Sequence, residues 1–248
     1  EHFGYRLLFD WKKFSSKVKA TDVDVDTHRF KKKLSTRGTT LVIEELKHEW
    51  NDGEKLKKLL KDSYLLTSPI DQTKNFRIKG NLTQYANGLK RLSKEFLDKA
   101  AYSFKIKLSK QKEIEFEFYK NNILIKKDKK ELAENLDCGD ASFELYFYYK
   151  NTQTWSKWIH KDISKKELDE IKSMLEEYGG IKLYRDKFRV KPYGEKDADW
   201  IGLDHWSRDT SIVPGNSQVI GIVSISRENN AEIEDTTSRE GVITSKAY

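Results

Sequence analysis

Apolar and polar positions along this chain switch repeatedly between a period of two and a period of three to four. FGYRLLFDWKKF, residues 3 to 14, mixes the two classes as a strand does, and Val23 and Val25 alternate with Asp22, Asp24 and Asp26, so the opening predicts strands. Arg37-Gly38-Thr39 leads into the run Thr40 to Ile43, which predicts a buried strand entered through a glycine turn. After Asn51-Asp52-Gly53, the spacing of Leu56, Leu59, Leu60 and Tyr64 predicts an amphipathic helix that Pro69 stops.

Leu89, Leu92, Phe96, Leu97, Ala100 and Ala101 then fall at helical spacing and predict a second helix over residues 82–101. Strands follow. Phe104, Ile106 and Leu108 alternate, as do Ile114, Phe116 and Phe118, and Asn121-Asn122 is a hairpin turn into Ile123 to Ile125. SFELYFYY, residues 142–149, is too aromatic for a surface loop and reads as a strand, while the KKDKKELAENLDCGD stretch before it reads as a polar connection. Ser164-Lys165-Lys166-Glu167 has the form of a capping box. The helix it opens carries Leu168, Ile171, Leu175 and Tyr178 on one face and ends at Gly179-Gly180, which supplies a left-handed C-cap. IKLYRDKFRVKPY predicts a hairpin with Arg185-Asp186-Lys187 at its tip, and QVIGIVSIS, residues 218–226, is the last strand. The fold class is α+β in two unequal parts, with no internal repeat.

Composition narrows the functions open to such a fold. The 248 residues are 37% hydrophobic and 12% aromatic, enough for real cores. With 35% charged residues and a net charge of +7, nucleic acid or another anion is a reasonable partner, although the lysine runs are interleaved with Asp and Glu. The lone Cys138 excludes an intrachain disulfide, and no signal peptide or long apolar run occurs; a cytoplasmic protein with no membrane contact follows. The chain begins at Glu1 and its only methionine is Met174, which predicts a piece cut from something longer, the alternative being a processed product.

Catalytic motifs are scarce. His2, His28, His48, His160 and His205 have no metal-ligand spacing, and there is no nucleophile elbow, Cys-x-x-Cys or phosphate-binding glycine loop. Gln72-Thr73-Lys74 offers an ammonium near a loop but reads as a solvated linker. Lys182, Arg185, Arg189 and Lys191 occupy alternate or nearly alternate positions around the hairpin and are expected to face water, the alternative being that they line an anion groove. Two stretches stand out. Gly38 lets backbone approach a ligand while the Thr39 hydroxyl both donates and accepts, the alternative being a plain turn before a strand. In EDTTSREGVI, Thr236-Thr237-Ser238 supplies hydroxyls and N–H groups and Arg239 a permanent planar cation suited to phosphate oxygens, the alternative being a helix cap beside an exposed arginine.

The order and spacing of RGTTLVIEELKHEW, a helix ending near SPI, GGIKLYRDKFRVKPYGE, NSQVIGIVSIS and DTTSREGVI resembles the GHKL ATPases, the superfamily of gyrase, heat-shock chaperones, histidine kinases and mismatch-repair MutL proteins. Within it, the likeness is to the bacterial chaperone-like and microrchidia-like branch. It covers nearly the whole chain, with residues 102–160 contributing least. The resemblance implies the end of a Bergerat-type ATP-binding sandwich over residues 1–75, then a ribosomal-protein-S5-like transducer domain over residues 76–248. It implies that Gly38 and Thr39 lie by the adenine, and that Arg239 is the transducer-loop group that reaches the γ-phosphate. ATP and Mg2+ are the implied cofactors, bound mainly by an upstream portion of the protein, which is the first implied partner; a homodimer and nucleic acid stay open as others.

The departures from the family pattern carry their own expectation. No convincing general-base glutamate, magnesium-binding asparagine or DxGxG motif precedes Thr39, so the chain by itself is expected not to turn over ATP, since hydrolysis needs an activated water and a metal. Asp186-Lys187 stands where Asp-Gly is expected, which predicts a different turn type. The competing reading is a non-enzymatic basic module that holds nucleic acid by phosphate contacts and stacking on Trp155, Trp158 or Trp206, or a dimerisation domain.

Overall fold

Among the described residues seven strands form one mixed sheet, and their sequence positions explain most of its order. The computed structural model describes residues 2–13, 23–33, 42, 44, 52–70, 92–109, 112–209, 214–234 and 241. Two units result, residues 1–49 and residues 50–248. In the first, Phe3–Leu8 (β1) and Asp26–Lys31 (β2) pair antiparallel, with Phe3 opposite Lys31 and Leu8 opposite Asp26. The second strand therefore begins at Asp26, after the Val23/Val25 alternation that suggested it. Val42, the apolar residue of the Thr40–Ile43 run that is described, is exposed, so it does not bear out a buried strand there.

In the second unit the strands are Tyr102–Ser109 (β3), Glu113–Lys120 (β4), Ile123–Glu131 (β5), Ala141–Phe147 (β6), Gly180–Arg185 (β7), Phe188–Val190 (β8) and Val219–Ile225 (β9). They run in the order β5-β4-β3-β6-β9-β7-β8. Every pairing is antiparallel except β7 with β9, which is parallel and holds Ile181 opposite Gly221 and Leu183 opposite Val223. Asn121 and Asn122 join β4 to β5 with φ of 47° and 60°, the two left-handed residues that a tight hairpin turn demands and that Asn tolerates.

β5 corrects the expectation of a polar connection after Ile125. It runs on to Glu131 with every residue exposed. Lysine-rich sequence makes a strand here because the neighbouring strand is acidic: Lys127 meets Glu117 at 2.7 Å, Lys129 meets Glu113 at 2.7 Å, and Glu131 meets Lys112 at 2.5 Å. Each such exposed pair contributes under about 1 kcal/mol, but as a set they specify register where no apolar alternation exists. Lys105 of β3 continues the row, directly opposite Glu117 on one side and Glu144 of β6 on the other.

The helices are Gly53–Leu65 (α1), Lys94–Leu97 (α2), Thr152–Thr154 (α3), Lys165–Tyr178 (α4) and Leu203–Asp209 (α5), with a π-helical turn Trp155–Ile159 continuing α3. Asp52 caps α1 by accepting from the Glu54 N–H, and Ser164 and Glu167 make the reciprocal capping box predicted for α4. Helix α1 ends at Leu65, before Pro69. Of the helix expected over residues 82–101, residues 82–91 lie outside the described residues; the described part holds a single turn with Ser93 as its extended N-cap and Leu97 its last residue, so Ala100 and Ala101 are buried in the lead-in to β3 rather than on a helical face.

One face of the β6-β9-β7 half of the sheet is covered by α4 and the end of α1. Ile171, Met174, Leu175 and Tyr178 pack with Leu65, Tyr146, Tyr148, Tyr184, Ile220 and Ile222, a cluster in which each fully buried apolar side chain contributes about 1.5–3 kcal/mol. On the opposite face, Leu183, Val190 and Val223 are covered by Ile233, Cys138 and Tyr193. Helix α4 passes into β7 within one residue: Gly179 donates to Leu175 O, and Gly180, at φ 91°, already begins the strand. The left-handed residue foreseen at this C-cap is Gly180, where a side chain would also press on the Gly194 backbone at 3.0 Å.

Candidate functional site

Gly38, Thr39 and Arg239 lie outside the described residues, as do Lys74 and Thr236-Thr237-Ser238. What is described is the frame from which the Arg239 segment departs. Ile233 is buried against Leu183 and Val190, Glu234 is exposed, and Gly241 beyond the segment is buried again.

That frame is organised by the β7–β8 turn. Asp186 and Lys187 both adopt positive φ, 49° and 71°. The Asp-Lys pair thus makes the same doubly left-handed turn that Asp-Gly would, correcting the expectation of another type. Neighbouring segments hold it there. On one side the Ser68 N–H donates to Lys187 O at 3.0 Å and the Arg189 N–H to Leu66 O at 2.9 Å. On the other the Asp186 N–H donates to Ile225 O at 3.0 Å, while the Arg227 N–H donates to Asp186 Oδ1 at 3.0 Å. Residues 66–68, at the exit of α1, and residues 225–227, at the exit of β9, are therefore fastened to the same hairpin, Ser68 to Lys187 and Leu66 to Arg189 on one side, Ile225 and Arg227 to Asp186 on the other. Ser68, Asp186, Lys187, Ser224, Ile225 and Ser226 line a shallow cavity of about 300 Å³ at this pole.

Asn230 anchors the segment that continues from β9. It is buried; its amide donates to Cys138 O and to Asp140 O at 2.9 Å, its Oδ1 accepts from the Ser226 N–H at 2.8 Å, and its carbonyl accepts from Arg185 Nη2 at 3.3 Å. The chain at Gly139, φ 77°, comes so close that a Cβ there would sit 2.0 Å from Asn229 O. Nothing in the pattern of apolar positions marks Asn230; the pair Asn229-Asn230 after a strand signals only a turn. Asn230→Ala should cost about 2–4 kcal/mol, since it removes three hydrogen bonds from part-buried backbone groups, Cys138 O, Asp140 O and the Ser226 N–H. Urea unfolding checks this, and a loss below about 1 kcal/mol would deny Asn230 this role.

Three of the four basic residues expected to face water are buried instead. All six residues of β7 are buried, so its alternation places Lys182 beside Tyr184 on the α4 face and Arg185 on the other. Lys182 is 2% exposed, and its Nζ donates to Tyr178 O at 2.5 Å and Gly179 O at 2.9 Å, capping α4. Burial, then the Arg189 guanidinium and Lys61, push its pKa down to about 7 against a smaller opposing pull from Glu195. The Arg189 side chain is buried and grips Glu195 at 2.9 Å, while its Nε and the Tyr184 hydroxyl opposite it have no hydrogen-bond partner among the described residues. Lys191 is half-exposed and pairs with Asp62 of α1 at 3.0 Å.

Polar and aromatic side chains before and within α5 make structural contacts. Asp199 accepts from the Leu203 and Asp204 N–H groups at the start of α5, Trp200 Nε1 donates to Ile181 O at 2.7 Å, and Asp204 Oδ1 accepts from the Asn216 N–H at 2.7 Å. Of the tryptophans considered for stacking, Trp155 is buried, with its Nε1 on Tyr149 O, whereas Trp158 and Trp206 are exposed. Among the described residues no group of three or more His, Cys, Asp or Glu is placed to hold a metal ion, and no helix is long and apolar enough to cross a membrane. No family model, curated protein or solved structure matches this chain.

Proposed function

We propose that this chain is the later part of a GHKL-type ATP-binding protein, in which ATP binding and hydrolysis are coupled to conformational change through Arg239. The observation that carries the reading is the shared fastening of residues 66–68 and 225–227 to the β7–β8 hairpin. In the proposed arrangement the first of these segments leaves the nucleotide-binding portion and the second leads toward Arg239. A sensor arginine is useful only if its position depends on the element that holds the nucleotide, and a backbone-bonded link of this kind supplies that dependence.

Within this reading Gly38 and Thr39 lie against the adenine, Gly38 allowing close approach and Thr39 exchanging hydrogen bonds with the base or an adjacent water. Arg239 contacts the γ-phosphate only in the closed state. Because a ligand shifts an equilibrium only by its differential affinity for two states, that contact makes closure depend on a triphosphate. Mg2+ supplies charge neutralisation at the phosphates when bound, and its ligands together with the general base belong to an upstream portion.

A longer polypeptide carrying that portion together with this chain is expected to hydrolyse Mg-ATP, while the 248-residue chain alone is expected to give only the no-enzyme background. Turnover by the chain alone, or none by the longer polypeptide, would reject the reading.

A further inference from the structure

The half of the sheet away from α4 has an aromatic face that belongs to neither buried core. By strand alternation and register, Phe116 and Phe118 of β4, Phe104 and Ile106 of β3, and Phe143 and Leu145 of β6 share one side. All six retain solvent exposure, 38% for Phe104, and none belongs to or packs against either core cluster. The rings are ordered into a platform: Phe104 stacks on Phe118 at 4.7 Å, and Phe118 in turn stacks at 5.7 Å on Tyr102, where the platform meets the α4-side core against which Tyr102 and Phe147 pack.

Charge at the border is predominantly positive. On the same side stand Lys120 at the end of β4 and Lys126 and Lys130 on the edge strand β5, with Asp128 the single acid among them. Lys126 lies 5.4 Å above the Phe116 ring and 3.5 Å from Asp128. The acidic residues of β4 all point to the other side, where Lys127 and Lys129 occupy them. The sheet thus separates a self-neutralised charge ladder from a face of exposed rings edged by lysine.

We propose that this face binds single-stranded nucleic acid, bases stacking on the Phe104–Phe118 platform and the phosphate backbone running along Lys120, Lys126 and Lys130. Exposed rings on an antiparallel sheet suit unpaired bases of any identity, and a lysine border suits the phosphates beside them. A second copy of this chain fits less well. Strand spacing and rise give the apolar patch a projected area of only about 300 Å², against about 800 Å² per partner in a stable interface, and pairing it with itself would oppose its lysines.

The test is fluorescence anisotropy of labelled oligothymidylate and oligouridylate with the intact chain across a salt series, alongside sedimentation of the chain alone. Saturable binding is expected, with Phe104→Ala weakening it at least about fivefold and Phe104→Tyr retaining it. Lys126→Ala with Lys130→Ala should lower the slope of log affinity against log salt by about 1.4, and these exposed positions leave the fold intact as read by circular dichroism. Absence of saturable binding, binding indifferent to Phe104→Ala and the lysine pair, or self-association lost in Phe104→Ala without oligonucleotide binding would each overturn the proposal.

Discussion

Replacing Arg239 by alanine in the longer polypeptide proposed to hydrolyse ATP should lower kcat about 10³-fold while changing nucleotide affinity only a few-fold. The asymmetry follows from where the guanidinium acts. Adenine and most of the phosphate chain are held elsewhere in the proposed arrangement, so ground-state binding survives, but charge that builds on the transferring phosphoryl group loses a preorganised donor pair. Arg239→Lys should recover part of the rate, because an ammonium keeps the charge and loses the two-pronged geometry. Single-turnover hydrolysis with a separate binding measurement resolves the two quantities. Equal rates in variant and parent, or a loss confined to affinity, would remove Arg239 from the mechanism.

Stability should rise steeply with pH because of Lys182. Its unfolded pKa is near 10.5 and its folded pKa about 7, so between those values the unfolded chain holds a proton that the folded chain does not. Below about pH 7 both states are protonated and the cost of burying the cation is fully present. Above it that cost is relieved, by about 2–3 kcal/mol between pH 7 and pH 9, levelling off near the unfolded value. The two N–H groups of the neutral amine still satisfy Tyr178 O and Gly179 O, so α4 keeps its cap. Lys182→Met should flatten the rise by removing the titrating group while filling a similar volume. Urea midpoints from pH 6.5 to pH 9.5 give the comparison, and parallel curves for variant and parent would show that Lys182 does not titrate in this window.

The residues that carried local chemistry were legible; those whose role depends on a distant partner were not. Ser164 and Glu167 lie three apart and needed only each other, and Asn121-Asn122 needed only its own backbone tolerance, so both were read correctly. β5 was missed because its strand character rests on the glutamates of β4, which single-strand periodicity does not register. Lys182, Arg185 and Arg189 were assigned to water because alternation shows which residues share a face but not that α4 covers one face and the Asn230 segment the other. Asn230 itself gave no signal beyond a turn. Of the candidate nucleotide contacts, the sequence supplied Gly38, Thr39 and Arg239 through resemblance, and the described residues supply the frame before Arg239.

The placement of β9 between β6 and β7 has a consequence for biosynthesis. β3, β4 and β5 are joined by short turns and can zip together soon after they emerge, as can the β7–β8 hairpin. Neither piece gains its central neighbour until Val219–Ile225 has been made, after β7, β8 and α5 have all emerged. The edges of β6 and β7 that flank this vacant slot stay unpaired while the ribosome works through the intervening residues, so slowing elongation between codons 190 and 219 should raise the yield of aggregated product more than slowing it elsewhere.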